Sequence, residues 1–509
     1  MSTVPPGVYA LATDDPERLA VVGPDGCEVT FGELGEAANR LANALRAQGL
    51  GPGDVVATML HNAVEHFEAV MATTQIGLFQ VPINVHLTPE EAAYIIGDSG
   101  ATALIAHDDL ARGLAPVADR LPSARFAVGP SEVPGWADYS GWKAGASAEA
   151  PSDRVAGTYM GYTSGTTGRP KGVRREMPPI EPELMITFFG ALLGGFDLHP
   201  GPGVHLACSP LYHAAPGNIA AQSLHLGHTV VIRARFEPED VLRTIEQYRV
   251  TSSQMVPTHL HRLLRLPDDV RKRYDLSSLT NLLVAGAPFG PEAKRAALDW
   301  LGPVVWEYLA STEGMVAIAS PADAVSHPGT VGKPTGEVRI LDDAGNDVPV
   351  GDDGRIFFAS PSAFVYHNDP EKTAAAVRSD GFATAGDLGR LDKDGYLYLL
   401  DRRDDLIISG GVNIYPSEVE QRLLLHPDVA DVAVIGASDP DWGQTVIAIV
   451  QTEPGAVPGS ALAEALDRHC REGLAAQKCP RRFEFRDQLP RTPTGKLLRR
   501  TLREEVSAS

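Results

Sequence analysis

The sequence predicts an α/β protein: a large N-terminal domain of parallel, helix-covered sheets, followed by a small α+β domain. Three observations carry this. Strand-length apolar runs alternate with amphipathic helical stretches, the βαβα order that favours a parallel sheet covered by helices. The 509 residues are too many for a single core. Near Asp387 the composition shifts to Gly- and Asp-rich turns, and the chain beyond mixes short strands with helices.

The elements follow in order. Thr30 with Glu33 reads as a capping box, and Leu34, Ala38, Leu41 and Leu45 then recur at helical spacing. Gly49 to Gly53 ends that helix. A buried strand is expected over 55–60, a helix over 65–74, a short strand over 81–84, a helix opened by Pro89 and a strand over 102–106. The pattern returns with a strand over 229–233 and a helix over 238–248. Apolar strands over 253–256, 282–285 and 304–308 then each run into a loop. Ligands of open α/β sheets bind at the carboxyl ends of strands, so those loops are where chemistry is expected. Residues 177–200 read as irregular and apolar, a wall or cover for a pocket. The last segment reads as a helix from Ser417, strands over 431–435 and 446–452, a helix over 460–473 and a strand over 482–485. The boundary is expected near Arg403, dividing 1–403 from 404–509.

Composition narrows the function. Hydrophobic residues make up 43% and charged residues 21%, an ordinary globular balance. The net charge of −21, from 44 basic and 65 acidic residues, argues against a nucleic-acid or anionic-membrane surface. An anionic nucleotide then needs a local site of backbone donors, Lys, Arg and a metal. Cys27, Cys208, Cys470 and Cys479 form no C-x-x-C pair, so neither a disulfide framework nor a zinc site is expected. No signal peptide and no long apolar run is evident, and the cytoplasm is the expected compartment.

Residues 162–173 read YTSGTTGRPKGV. Gly165 and Gly168 free the backbone to turn, so successive N–H groups can face one concavity. Thr163, Ser164, Thr166 and Thr167 add hydroxyl donors, and Lys171 adds a cation. These are the parts of a polyphosphate grip. The spacing is not that of a P-loop, because Gly172 follows Lys171 where Ser or Thr belongs. A bare GTTG is commonly a surface turn. All twelve residues together resemble the phosphate-binding signature of the adenylate-forming superfamily, which includes acyl-CoA synthetases, peptide-synthetase adenylation domains and luciferases.

The resemblance continues in family order over about residues 10 to 500. It implies a multi-lobed N-terminal domain and a mobile C-terminal one. Gly286, Ala287 and Pro288 match a segment that packs on adenine, where small residues let the backbone approach. Residues 306–314, WEYLASTEG, resemble the aromatic-Gly-x-Thr-Glu motif and bring Glu307, Tyr308, Leu309, Ala310, Ser311 and Thr312 to the nucleotide. Leu309 and Ala310 stand where the family usually has Tyr-Gly, with Tyr308 one residue early. Glu313 and Thr166 are the implied ligands of Mg²⁺, a hard cation that bridges phosphates. In SPLYHAAPG, over 209–217, His213 matches the gate of the acyl pocket, with Gly217 and Met315 beside it. No Asp lies between Ser209 and Gln222 to pair with an amino group, which argues against an α-amino acid. In TAGD, over 384–387, Asp387 matches the ribose ligand, joined by Leu399 and Arg402. Asp404 matches the hinge, and Gly410 and Gly411 the pantetheine tunnel. PRTPTGK, over 490–496, ends in Lys496, which the resemblance assigns to the acid's carboxylate and the α-phosphate. Smaller departures are Arg355, where Glu is common, and a missing Gly in 359–362.

The implied activity uses ATP, Mg²⁺ and CoA. A carboxylic acid becomes acyl-AMP and is then transferred to CoA, with Thr166, Lys171, Glu313 and Lys496 as catalytic residues. An acyl-carrier protein or a separate thiolating partner is the alternative acceptor, and a non-catalytic nucleotide-binding homologue the second alternative. The pocket segments hold Phe188, Phe189, Leu192 and Leu193 among small residues, with no evident cation. That suits a fatty, alicyclic or aromatic acid.

Overall fold

The computed structural model describes residues 6–163, 169–359, 364–439, 441–491 and 497–507. Local signals act as expected at the first long helix, Phe31–Ala47. Thr30 Oγ1 accepts from Glu33 N at 3.2 Å, and the Glu33 carboxylate accepts from Thr30 N at 2.8 Å. Phe31, Leu34, Ala38, Leu41 and Leu45 on its inner face are fully buried, each large side chain contributing about 1.5–3 kcal/mol of transfer free energy.

Two large sheets carry the N-terminal domain. The first has six strands in the order Ala137–Asp138, Ala124–Val128, Ala103–His107, Val55–Met59, Phe79–Pro82, Thr158–Tyr159, all parallel to their neighbours. The second has nine, in the order Lys333–Pro334, Gly314–Ala319, Val305–Ser311, Asn281–Val284, Ser252–Met255, Val204–Ala207, Thr229–Ile232, Leu19–Val22, Glu28–Thr30. Its middle is parallel and both edges are antiparallel. Strands Val55–Met59 and Asn281–Val284 are buried at every residue, as sheets covered on both faces require. Short strands slide by one to three residues from their expected spans, because an apolar run marks a strand better than its ends.

Two regions differ from the expectation. Residues 177–200 contain a helix, Pro182–Gly194, opened by a proline at its first position. It is apolar all round and leaves Leu184 and Phe188 exposed, so no helical period is visible in its sequence. A five-stranded antiparallel sheet of Val338–Leu341, Gly354–Ala359, Phe382–Ala383, Asp387–Leu391 and Leu397–Arg402 was not anticipated either. A three-stranded sheet of Gly161–Thr163, Lys171–Arg175 and Phe364–Tyr366 lies apart from these.

The terminal sheet runs Val412–Ile414, Ile407–Ser409, Gly443–Thr452, Val429–Asp439, with Arg482–Phe485 parallel to Gly443–Thr452. Helices Pro416–Leu424 and Ser460–Gly473 cover it around Ile414, Val419, Leu423 and Leu466. The turn Arg403–Asp405 joins strand Leu397–Arg402 of the preceding sheet to Ile407–Ser409. Among the described residues, no helix is long and apolar enough to cross a membrane.

Several histidines are buried uncharged. Val8 N donates to His225 Nδ1 at 3.2 Å, and His205 Nδ1 pairs with Ser252 Oγ at 2.9 Å. Burial pushes both imidazoles down to about 3. An unfolded histidine titrates near 6.5, so below that pH the unfolded chain binds protons the fold refuses. Each such histidine lowers stability by about 1.4 kcal/mol per pH unit between those limits. The melting temperature is therefore expected to fall steadily as pH drops from about 6.5 to 4.5. Scanning fluorimetry across that range checks this, and a flat profile contradicts neutral burial.

Candidate active site

Three cavities open at the carboxyl ends of the parallel strands and share lining residues. One of about 670 Å³ is bordered by Thr163, Glu313, Tyr366, Lys372 and Gly386. A second of about 590 Å³ is bordered by Phe189, Leu192, Leu193, Met315 and Gln222. His213, Ser311 and Thr312 line both. The third, about 210 Å³, lies between the two domains. Gly286, Ala287, Pro288, Asp387, Leu399 and Arg402 face Arg491, Leu497 and Arg499 across it.

The phosphate-type segment begins on paired strands. Thr163 and Lys171 are opposite in register, and Thr163 Oγ1 donates to Lys171 O at 3.4 Å. Ser164, Gly165, Thr166, Thr167 and Gly168 lie between them in sequence and outside the described residues, as does Lys496. Lys171 Nζ stands 3.5 Å from Asp369 Oδ2, and Lys372 N donates to Asp369 Oδ1 at 2.9 Å.

Glu313 sits with Thr312 in the tight turn between Val305–Ser311 and Gly314–Ala319. It is only 6% exposed. Tyr366 OH donates to its Oε1 at 2.6 Å, and Arg175 Nη2 donates to the carbonyls of Thr312 and Glu313 at 2.8 and 2.7 Å. Burial, then the Glu313 charge, raises the Tyr366 phenol well above its ordinary pKa, so it stays a donor. The carboxylate is thus oriented at one oxygen, and Oε2 has no partner among the described residues. An anchored carboxylate oxygen beside a nucleotide-sized cavity fits a hard cation such as Mg²⁺. Arg175, Tyr366, Asp369 and Lys372 were not singled out from sequence. Their roles depend on the pairing of Lys171–Arg175 with Phe364–Tyr366, which no local pattern announces.

Asp387 and Arg402 are opposite in register, with Arg402 Nε 3.5 Å from Asp387 Oδ1. Gly286 follows strand Asn281–Val284 at φ +95°, a conformation only glycine adopts without strain. In the 307–312 stretch Glu307 and Leu309 share one strand face, and both line the interdomain cavity. Glu307 is buried there and pairs with Lys294, whose Nζ also donates to Thr330 O at 2.9 Å. Tyr308 packs edge-on against Phe196 at 5.2 Å and forms part of the wall between the second and third cavities. Leu309 faces the interdomain cavity, so the position usually held by Tyr offers an aliphatic face there.

His213 caps helix Ala214–His225 and stands between the first two cavities. Burial lowers its pKa to about 4, leaving it neutral, and its Nε2 has no partner among the described residues. Gly217 does not line these cavities. A Cβ there would meet Leu211 O at 2.3 Å, so this glycine serves helix packing. Met315 and Phe189 line the second cavity, whereas Phe188 is 57% exposed. Cations absent from the expectation are present: Arg175, Arg262 and Arg491 line the second cavity. Arg175 is bound to the two carbonyls, and Arg491 donates two parallel hydrogen bonds to the Asp431 carboxylate, 2.5 Å each.

Asp404, in the turn Arg403–Asp405, lines the first cavity. Gly410 and Gly411 make the tight turn between Ile407–Ser409 and Val412–Ile414, at φ +58° and +81°. They line none of the three cavities.

The profile of AMP-binding enzymes matches residues 9–365, and that of the AMP-binding enzyme C-terminal domain matches 418–496. The chain belongs to the adenylate-forming superfamily. This adenylate-forming enzyme is 35% identical over 522 residues to a 2-succinylbenzoate–CoA ligase of Geobacillus kaustophilus, covering 99% of each chain. It is 32% identical over 517 residues to the fatty acid–[acyl-carrier-protein] ligase ScoC of Streptomyces coeruleorubidus, covering 97% of this chain and 94% of that one. The solved o-succinylbenzoate CoA synthetase of Bacillus subtilis, in complex with its acyl-adenylate, superimposes with TM-score 0.80 at 31% identity, covering 97% of each chain.

Proposed function

We propose that this enzyme activates a carboxylic acid with ATP to acyl-AMP and transfers the acyl group to CoA. One observation carries the reading. The nucleotide-sized cavity, with the oriented Glu313 carboxylate, meets an apolar cavity at His213, Ser311 and Thr312. An acid in the second cavity then points its carboxylate at a nucleotide in the first.

The acid's carboxylate oxygen attacks the α-phosphorus, the bond to the bridging oxygen breaks, and pyrophosphate leaves. The CoA thiol then gives up its proton, its sulfur attacks the acyl carbon, and AMP leaves with the electron pair of the broken bond. No enzyme nucleophile is needed, so catalysis rests on positioning and charge stabilisation. Ser164, Thr166, Thr167 and Lys171 are assigned to the β- and γ-phosphates. Gly286, Ala287 and Pro288 are assigned to adenine, and Asp387 with Arg402 to the ribose. His213, held neutral, closes the join between the cavities against water without adding charge near the carboxylate. Glu313 and Thr166 would hold magnesium, which when bound neutralises phosphate charge. Lys496 would neutralise the carboxylate and α-phosphate in the first half-reaction. Rotation near Asp404 would then withdraw it and bring the Gly410–Gly411 turn to the site, while closure protects the mixed anhydride from water. The cytoplasm is the proposed compartment.

Transfer to an acyl-carrier protein is the second reading, favoured by the similarity to the carrier-protein ligase. Measuring acyl-AMP consumption with CoA against a carrier protein bearing a free phosphopantetheine thiol decides between them. Asp387→Ala is expected to weaken ATP binding about tenfold, the loss of one hydrogen-bonded charge. Calorimetric titration checks this, and an unchanged affinity removes Asp387 from the ribose.

A further inference from the structure

The acid cavity has two unlike walls. Phe189, Leu192, Leu193, Phe196 and Met315 form an aromatic and aliphatic side. Helix Ala214–His225 forms the other and places Asn218 and Gln222 four residues apart on one face. Asn218 is engaged by the Tyr159 phenol. Gln222 is not. Its Oε1 is buried without a partner, and neither end of its amide is bonded among the described residues.

His259 adds another orphan, beside His213 Nε2, Gln254 Oε1 and Ser311 Oγ on the same lining. Its ring stacks flat on Phe236 at 3.8 Å, lines the same cavity, and leaves Nδ1 buried without a partner among the described residues. Burial, then the nearby Arg262 charge, keeps that ring neutral. Polar groups withdrawn from water and left unbonded are unfavourable, so an apolar pocket holding them is shaped for a polar group on its ligand.

Position narrows the ligand. His213 marks the end where the cavities join, and Gln222 lies nine residues further along the same helix, about 13 Å at the helical rise. The polar group therefore sits at the far end of the acid. A hydroxyl both donates and accepts, so it satisfies the Gln222 amide in either orientation. Phe189, Phe196 and Tyr308 supply ring faces and edges that favour an aromatic body between the two ends.

We infer that the acid is aromatic and carries a hydroxyl remote from its carboxylate, met by Gln222. The inference rests on the acid-activating reading and names its substrate class.

The test uses the full chain, MgATP and two matched acids, cinnamic and 4-hydroxycinnamic, with octanoic acid as an apolar reference. Pyrophosphate release gives kcat/KM for each. The hydroxylated acid is expected to lead its parent at least about tenfold, chiefly through KM. Gln222→Leu is expected to bring that ratio toward one, with melting temperature confirming the fold. Equal values for the pair in the parent enzyme overturn the inference, as does a Gln222→Leu loss equal for both acids. Turnover of octanoic acid alone overturns it while leaving acid activation standing. No turnover with any acid overturns both.

Discussion

Lys496→Ala is expected to lower acid-dependent pyrophosphate release by about 10²–10³-fold, the loss seen when one preorganised charge-stabilising group is removed. Formation of thioester from supplied acyl-AMP should stay largely intact. The asymmetry follows from where charge develops. In the first half-reaction two anionic groups, a carboxylate and a phosphate, are pushed together, and a cation there lowers the barrier directly. In the second, the leaving AMP already carries its phosphate charge. The residues flanking the Lys496 segment, Arg491 and Leu497, line the interdomain cavity together with Gly286 and Asp387. Stopped assays of each half-reaction check this. An equal loss in both halves would contradict the assigned role.

Glu313→Gln is expected to cost about 10²-fold in pyrophosphate release and to raise the magnesium concentration needed for half-maximal rate. The amide keeps the size and can still accept from Tyr366, but it removes the negative charge that attracts a divalent cation. Tyr366→Phe should act in the same direction and more weakly, about tenfold, because it removes one charge-assisted hydrogen bond and leaves the carboxylate. A magnesium titration of both variants at fixed ATP is the check. An unchanged magnesium dependence in Glu313→Gln would remove Glu313 from the metal site.

How much of this was legible in the sequence depended on how local each signal is. The capping box at Thr30 and Glu33, the helices Pro238–Tyr248 and Ser460–Gly473 and the buried parallel strands all declare themselves within one element. Helix Pro182–Gly194 does not, because apolar residues cover its whole circumference and no period separates inside from outside. The five-stranded sheet was hidden for a related reason. Along Leu397–Arg402 only the first and fifth residues are buried, so the alternation that marks a strand is missing.

The candidate site divides the same way. The Gly/Thr-rich segment, Asp387 and Glu313 stand in contiguous motifs, which is what singles them out in the sequence. Two motif members have partners that the motif does not announce. Glu307 lines the interdomain cavity on the same strand face as Leu309, but its carboxylate is taken up by Lys294. Gly217 closes its motif yet packs under Leu211. Tyr366 and Arg175 carry no local signal, because only long-range strand pairing brings them to Glu313.

In the proposed reaction the enzyme makes an acyl-adenylate and hands the acyl group to CoA. Acid-dependent AMP release from MgATP, measured with and without CoA across fatty, benzoic and hydroxycinnamic acids, tests it most directly. AMP release that requires an acid, accelerates with CoA and yields the acyl-CoA thioester is the predicted result. Absence of acid-dependent AMP release and pyrophosphate exchange across the panel would contradict it.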